Sequence, residues 1–379
     1  MPERLISNAH IVLADEVIHG SIKINDGKIT DVSSGQLNTA SEDFDGDYLI
    51  PGLIELHTDN LERHVMPRPK SYWPTESAVI NHDREVAAAG ITTVYDALSV
   101  GHLDKGTRTP DAIKNLSEAI IQLKSKGSLK VDHYIHWRCE VSGDDTFEQT
   151  ENLAQNPATG LFSVMDHTPG QRQFVSLDAY YTYYQGKYGL NDQEMSEFIS
   201  ERKEAQLRNS VPNRQKIVEL AHSINVPLAS HDDATTAHVD EAIENGIVVA
   251  EFPTTLEAAK ASHDNNLSVL MGAPNVVRGK SHSGNVSARE LAREGVLDIL
   301  SSDYVPFSLL YGATVLEQHC ENISLPQAIA MVTQNPAKQV GLSDRGEIAV
   351  GKRADLVRYQ MDDEVPAIRE VWRGGERIG

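Results

Sequence analysis

A chain of 379 residues exceeds one small domain and fits either two domains or one α/β barrel with an appendage. Hydrophobic residues make up 40%, enough for a large packed core, which excludes global disorder. With 34 Lys and Arg against 55 Asp and Glu, the formal charge is −21, which argues against sequence-independent nucleic-acid binding, a task for a broad basic surface.

Two cysteines, Cys139 and Cys320, cannot build a disulfide framework, so a reducing, cytoplasmic setting is expected. The first 20 residues carry acidic groups and no apolar core followed by a small-residue cleavage site, so no secretion signal is read. No apolar run approaches the roughly 18 residues of a membrane helix.

In chain order, Leu5-Ile6, Ile11-Val12-Leu13 and Ser21-Ile22-Lys23-Ile24 read as short strands. Asn25-Asp26-Gly27 before Lys28-Ile29 is a hairpin turn, because Asp-Gly tolerates the positive φ that tight turns need. The other end has the same character, in Gly346-Glu347-Ile348, Leu356-Val357 and Val371-Trp372-Arg373. Residues 1–49 and 341–379 are therefore expected to pair into one small β domain, since neither end can bury a core alone.

Residues 50–340 alternate strand-length apolar runs with helical stretches. The strand candidates are Tyr48–His57, Ile91–Ala97, Val131–Glu140, Leu161–His167, Pro227–His231, Ile247–Phe252, Leu267–Met271 and Leu297–Ser301. About eight strands is the number of a TIM (β/α)8 barrel. Asp111–Lys124 and Arg214–His222 have helical spacing. The connection Gln171–Ser210 is overlong and is expected to carry a helical insertion. Tyr72 and Trp73 are expected to pack, and Cys139, opposite in parity to Glu140, to point away from the barrel axis.

Chemistry in such barrels gathers at the C-terminal strand ends. His57 and Asp59, two apart, can share a face. Glu140 ends the third run, with His136 and Arg138 at its parity. His167, His231 and Asp303 end or follow the fourth, fifth and eighth. One histidine or aspartate at a strand end is more often structural, the aspartate serving as a helix cap. A whole rim of imidazoles and carboxylates is better explained by divalent cations. Six such donors would serve two cations, an arrangement that activates water for hydrolysis.

Particular segments carry a resemblance. Asp45-Gly46-Asp47-Tyr48-Leu49-Ile50-Pro51-Gly52-Leu53-Ile54-Glu55-Leu56-His57 resembles the entry to strand one in the amidohydrolase superfamily. Asn335-Pro336-Ala337, with Gly351-Lys352-Arg353-Ala354-Asp355-Leu356-Val357, resembles its return to the small β domain. Glu55 through Glu62, Met165 through Gln173, Ser230 through Thr235, Glu251 through Thr255 and Gly272 through Asn285 are similar to its phosphonate-metabolism branch. The resemblance covers the whole chain. It implies a distorted TIM barrel beside a small β-sandwich domain formed by both chain ends. It also implies hydrolysis of α-D-ribose 1-methylphosphonate 5-triphosphate to the 5-phosphate and pyrophosphate, within the carbon–phosphorus lyase pathway. Cleavage of an amide or cyclic amide is the alternative.

The implied ligands are His57, Asp59, Glu140, His167, His231 and Asp303, holding two divalent ions. Zinc is expected first, while manganese, iron and cobalt suit the same donors. Glu140 takes the bridging place, often a carboxylated lysine elsewhere in the superfamily, and Asp303 the role of accepting a proton from the attacking water. His57-x-Asp59 replaces the commoner His-x-His, so Asp59 could bind metal or orient His57. Glu251 could be a ligand, a supporting group or a structural carboxylate. The expected partner is a small phosphorylated sugar, with no nucleic acid and no membrane; association between copies stays open. At −21, the chain needs local cations to hold a triphosphate. Arg63, His64, Arg68 and Lys70 follow strand one, Arg172 follows strand four, and Arg278, Lys280 and His282 follow strand seven. Of these, Arg63, Arg172, Arg278, Lys280 and His282 are the expected substrate contacts.

Overall fold

The computed structural model describes residues 3–35, 40–101, 108–172, 185, 191–279 and 284–379. The chain divides into two compact units. One comprises Met1–Asp96, Ala119–Tyr134 and Leu270–Gly379, the other Ala97–Glu118 and Ile135–Val269.

Both chain ends contribute to one sheet. The N-terminal strands are β1 (Arg4–Val12), β2 (Val17–Asn25), β3 (Lys28–Ser34), β4 (Glu42–Asp43) and β5 (Tyr48–Pro51). Eight more strands follow: β6 (Leu53–Thr58), β7 (Ile91–Val100), β8 (Asp132–Glu140), β9 (Thr159–Met165), β10 (Leu228–His231), β11 (Val249–Glu251), β12 (Ser268–Gly272) and β13 (Ile299–Ser301). The C-terminal strands are β14 (Leu356–Asp362), β15 (Val365–Arg373) and β16 (Glu376–Arg377). The terminal sheet runs β16-β15-β14-β5-β1-β2-β3, with β4 beside β1. The hairpin between β2 and β3 turns at Asp26 and Gly27, whose φ values of 49° and 76° are the positive angles this turn needs. Ile6, Ile11, Ile22, Ile29, Leu49 and Trp372 are fully buried in its core. The Phe44 and Trp372 rings stack at 5.7 Å.

β6 to β13 form the second sheet, in simple sequence order. Its characterised pairs are parallel. Thr58, ending β6, also bridges in parallel to Asp303, two residues beyond β13. This is the (β/α)8 arrangement, and each strand overlaps a predicted run, with β7 reaching past its run to Val100 and β9 starting before its run at Thr159. β6 and β7 are buried along their entire length, as parallel strands covered on both faces must be.

The run Tyr48–His57, read from sequence as one strand, is two. Gly52 separates β5, in the terminal sheet, from β6, in the parallel sheet. A Cβ at Gly52 would collide with the Thr92 side chain and come within 3.0 Å of Asp355 Cβ, so the crossing accepts only glycine. The helix read at Arg214–His222 is also longer than expected. It spans Asp192–Ser223, opens with a capping box between Asn191 and Glu194, and continues through Pro212. It takes up part of the predicted insertion, whose residues 173–184 and 186–190 lie outside the described residues. Tyr72 and Trp73, expected to pack, are about half exposed. Among the described residues, no helix is long and apolar enough to cross a membrane.

Candidate active site

In the unit holding the C-terminal ends of β8 to β11, parallel register brings the ends level. Glu140 faces Met165 across the β8–β9 ladder, and His231 faces Glu251 across β10–β11. Buried Glu140 accepts from Ser142 Oγ at 2.7 Å, and its Oε2 lies 2.7 Å from His167 Nδ1. Buried Glu251 lies 3.2 Å from His231 Nδ1 through Oε2, and its Oε1 is 3.8 Å from His136 Nδ1. His136 Nε2 is 2.9 Å from Ser163 Oγ.

Both His167 and His231 thus turn Nδ1 to a buried carboxylate. Their Nε2 atoms converge on Asp232 Oδ2, at 3.6 Å and 3.5 Å. The rings meet nearly edge to face, 5.5 Å between centroids. Asp232 Oδ2 is buried and makes no hydrogen bond. A buried carboxylate oxygen without a donor is costly, and the two nitrogens are too distant to satisfy it. Two imidazoles and a carboxylate suit a divalent cation, and Glu140 and Glu251 supply the outer bonds that orient metal-binding histidines.

Charge states follow from this crowding. Burial alone would lower His167, but Asp232 and Glu140 outweigh it and push its pKa up to about 9. Burial dominates at His231 and, helped by the Arg138 charge, holds it below the ordinary imidazole value. Burial pushes Cys139 up to about 12, which makes it an inert core thiol.

In the other unit, buried Glu55 fastens β6 to the end of β13. Its Oε1 accepts from His57 N at 2.7 Å and its Oε2 from Ser302 N at 2.5 Å. Asp303 N donates to His57 O at 3.2 Å, and Asp303 O accepts from Asp59 N at 2.9 Å. These bonds bring His57, Asp59 and Asp303 together, with His57 Nε2 3.7 Å from Asp59 Oδ1. Asp303 holds a left-handed φ of 55°, uncommon for a residue with a Cβ. Burial raises the Glu55 carboxyl to about 7, the Ser302 and His57 hydrogen bonds only partly opposing it.

The basic residues differ in their freedom. Arg63 is exposed and donates to Tyr304 O at 2.9 Å. Arg278 is exposed at the end of the helix Ala273–Arg278, beside Gly279 with φ 75°. Arg172 is buried against Asp233 and donates to Glu241 Oε2 at 2.6 Å, an oxygen that also receives Arg214. Lys280 and His282 lie outside the described residues.

Sequence reasoning left two residues out of the site, Asp232 and Glu55. Strand alternation would point Asp232 away from His231, but β10 ends at His231 and Asp232 turns through a φ of 57°. Its place inside Ser230-His231-Asp232-Asp233 was the available signal. Glu55 looked like part of an apolar strand motif, and its partner Ser302 lies 247 residues away.

Fold and site together define a metal-dependent hydrolase class, and the chain belongs to the amidohydrolase family, whose Amidohydro_3 description matches residues 84–378. Within that class it is 46% identical, over 99% of its length and 100% of the relative's, to alpha-D-ribose 1-methylphosphonate 5-triphosphate diphosphatase of Escherichia coli K12. Among solved structures, an Xaa-Pro dipeptidase with bound methionine matches over 99% of both chains, with TM-score 0.67 and 15% identity. N-isopropylammelide isopropylaminohydrolase from Burkholderia multivorans covers 100% of this chain with 98% of its own, at TM-score 0.66 and 16% identity. These two share the fold.

Proposed function

We propose that this chain hydrolyses alpha-D-ribose 1-methylphosphonate 5-triphosphate to the 5-phosphate and pyrophosphate in phosphonate catabolism. The full-length 46% identity to a diphosphatase of that name carries the reading. His167, His231 and Asp232 are the donors for one divalent cation. His57, Asp59 and Asp303 are the donors for a second, with zinc the first candidate and manganese, iron or cobalt the others. Bound there, a divalent cation would lower the pKa of a water and polarise a phosphoryl oxygen.

The chain's own residues do the rest. Glu140 orients His167 through Nδ1. Asp303, a terminal carboxylate, accepts the proton of the attacking water. Water oxygen bonds to the α-phosphorus, the α–β bridging bond breaks, and pyrophosphate leaves with its electron pair. Arg63 and Arg278, both exposed, meet the polyphosphate, joined by Lys280 and His282. Arg172 is the further expected contact, its guanidinium held by Asp233 and Glu241. We place the enzyme in the cytoplasm, where its two buried free thiols stay reduced.

The test is pyrophosphate release from this triphosphate by metal-reconstituted protein, beside a chelated control and a panel of N-acyl and cyclic amides. Metal-dependent release supports the reading. Amide cleavage without pyrophosphate overturns it. Asp303→Asn should cut turnover while keeping most of the metal, and Arg278→Ala should raise KM for the triphosphate.

A further inference from the structure

A second titratable cluster meets the residues assigned above at Asn60, whose Oδ1 accepts from Arg63 Nη1 at 3.3 Å. His82, Asp83, Asp96, His133 and Asn60 are all fully buried. His82 Nε2 and Asp96 Oδ1 are 2.7 Å apart, as are His133 Nδ1 and Asp96 Oδ2. His133 Nε2 is 3.3 Å from Asp83 Oδ1, which also accepts from the backbone nitrogens of Lys130 and Val131. At the other end, Asn60 Nδ2 is 3.1 Å from His82 Nδ1 and donates to Glu85 Oε2 at 2.9 Å. His64 Nε2 meets the same Glu85 oxygen at 2.7 Å.

His82, Asp96 and His133 could be grouped as metal donors. Their hydrogen bonds argue otherwise. Each of these imidazole nitrogens and carboxylate oxygens already has a partner, in contrast to Asp232 Oδ2. The bonds also fix proton positions. Of the three atoms near Asn60 Nδ2, Glu85 Oε2 and His82 Nδ1 are closer than His64 Nε2 at 3.4 Å, and His64 Nε2 is engaged with Glu85, so the two amide hydrogens go to Glu85 and His82 and His82 Nδ1 accepts. Its Nε2–H must then donate to Asp96, so His82 is the neutral Nε2–H tautomer. His133, between Asp96 and Asp83, donates from both nitrogens.

Asn60 opens the helix Asn60–Val65 directly after Asp59. Its backbone nitrogen donates to Thr58 Oγ1 at 3.3 Å, and Thr58 Oγ1 donates to Asp303 O at 2.8 Å. We propose that the chain Asn60–His82–Asp96–His133–Asp83 is a positioning network that holds the Asp59 end of the site, with Asn60 and His82 as its positioning residues. This rests on the reading of Asp59 as part of the metal site. Asp59 is gripped on one side by the carbonyl of Asp303. On the other it is continuous with an asparagine whose side chain is locked by two directed bonds. Loss of either bond frees the turn and the carboxylate on it.

The experiment uses the full chain, freed of metal, as parent, Asn60→Ala, His82→Ala and His82→Asn. Amide hydrogen exchange over residues 59–65 and Co2+ affinity against a competing chelator are read on each, with kcat and KM on the reconstituted proteins. Asn60→Ala and His82→Ala should exchange at least about tenfold faster over residues 59–65. They should bind their weaker Co2+ about tenfold less tightly, the scale of lost outer-shell support. In His82→Ala kcat should fall while KM stays within about twofold; Asn60→Ala, which also frees Arg63 from Asn60 Oδ1, is judged on exchange and Co2+ affinity. Asn at position 82 keeps an acceptor oxygen for Asn60, so His82→Asn should recover most of the exchange protection and Co2+ affinity. Parent-like exchange and Co2+ affinity in Asn60→Ala would overturn the network, and that variant leaves the buried imidazoles intact should His82→Ala fail to fold. A parent that releases no pyrophosphate would instead sink the function reading, while the exchange and Co2+ measurements still judge the network.

Discussion

Glu140 Oε2 stands 2.7 Å from His167 Nδ1, and this contact leaves His167 Nε2 to face Asp232 Oδ2 at 3.6 Å. The pair lie 27 residues apart in sequence, and the β8–β9 ladder brings them level. Glu140→Gln should therefore weaken metal binding by about 10- to 100-fold, and Asp232→Asn by more, since the second removes an anionic donor. Equilibrium dialysis with zinc measures both. Full metal retention by Asp232→Asn would remove it from the ligand set.

Glu55 gives the metal-free chain a pH dependence of unusual sign for a carboxyl. Its folded pKa is about 7 against an ordinary value of 4.5, so the folded chain holds this proton more tightly. The associated stability is complete below pH 4.5 and is lost as pH rises through 7, to a total of about 3 kcal/mol. Urea unfolding of metal-free protein at several pH values should show that decline. Glu55→Gln should flatten it.

His133 acts at higher pH. Burial disfavours its charge, but Asp96 and Asp83 prevail and carry its pKa from 6.5 to about 9. Its contribution is present below pH 6.5 and fades as pH climbs through 9, again by about 3 kcal/mol. Asp83→Asn keeps an acceptor for the Lys130 and Val131 nitrogens but removes one charge. The loss of stability between pH 6.5 and 9 should therefore shrink in that variant, and an unchanged slope would refute the assignment.

Gly52→Ala tests the division between β5 and β6. The new methyl would strike Thr92 and crowd Asp355, at an expected cost of about 1–3 kcal/mol by chemical denaturation. Adding Thr92→Ala should recover part of that loss. A single Gly52→Ala variant as stable as the parent would show that the crossing has room to spare.

The parallel strands were legible because burial on both faces writes each as an apolar run, and because polar residues cluster where the runs stop. His57, Glu140, His167, His231 and Asp303 could be picked out on that basis. The Gly52 break was hidden, since Tyr48 through His57 reads as one apolar stretch and the change of sheet depends on pairing with Leu356 and Asp355, far along the chain. Pro212 disguised the length of the helix Asp192–Ser223, although a proline costs a helix only one backbone donor and local crowding. Asp232 escaped because alternation stops applying where a strand ends in a left-handed residue. Arg172 looked available from its position after strand four, and its commitment to Asp233 and Glu241 is a long-range fact.

The terminal sheet sets a timetable for synthesis. β5 lies between β1 and β14, and Arg358 on β14 ties to Asp47 across 311 residues. As the chain leaves the ribosome, β5 is made long before its β14 partner. During that interval the edge of β5 offers unpaired backbone groups to any passing strand. The acidic residues nearby, Asp43, Asp45 and Asp47, would repel like-charged copies over the same period. Closure of the seam beside β5 therefore waits for Leu356 and the residues after it, and a ribosome stalled shortly before Leu356 would display β1 to β13 with that seam open.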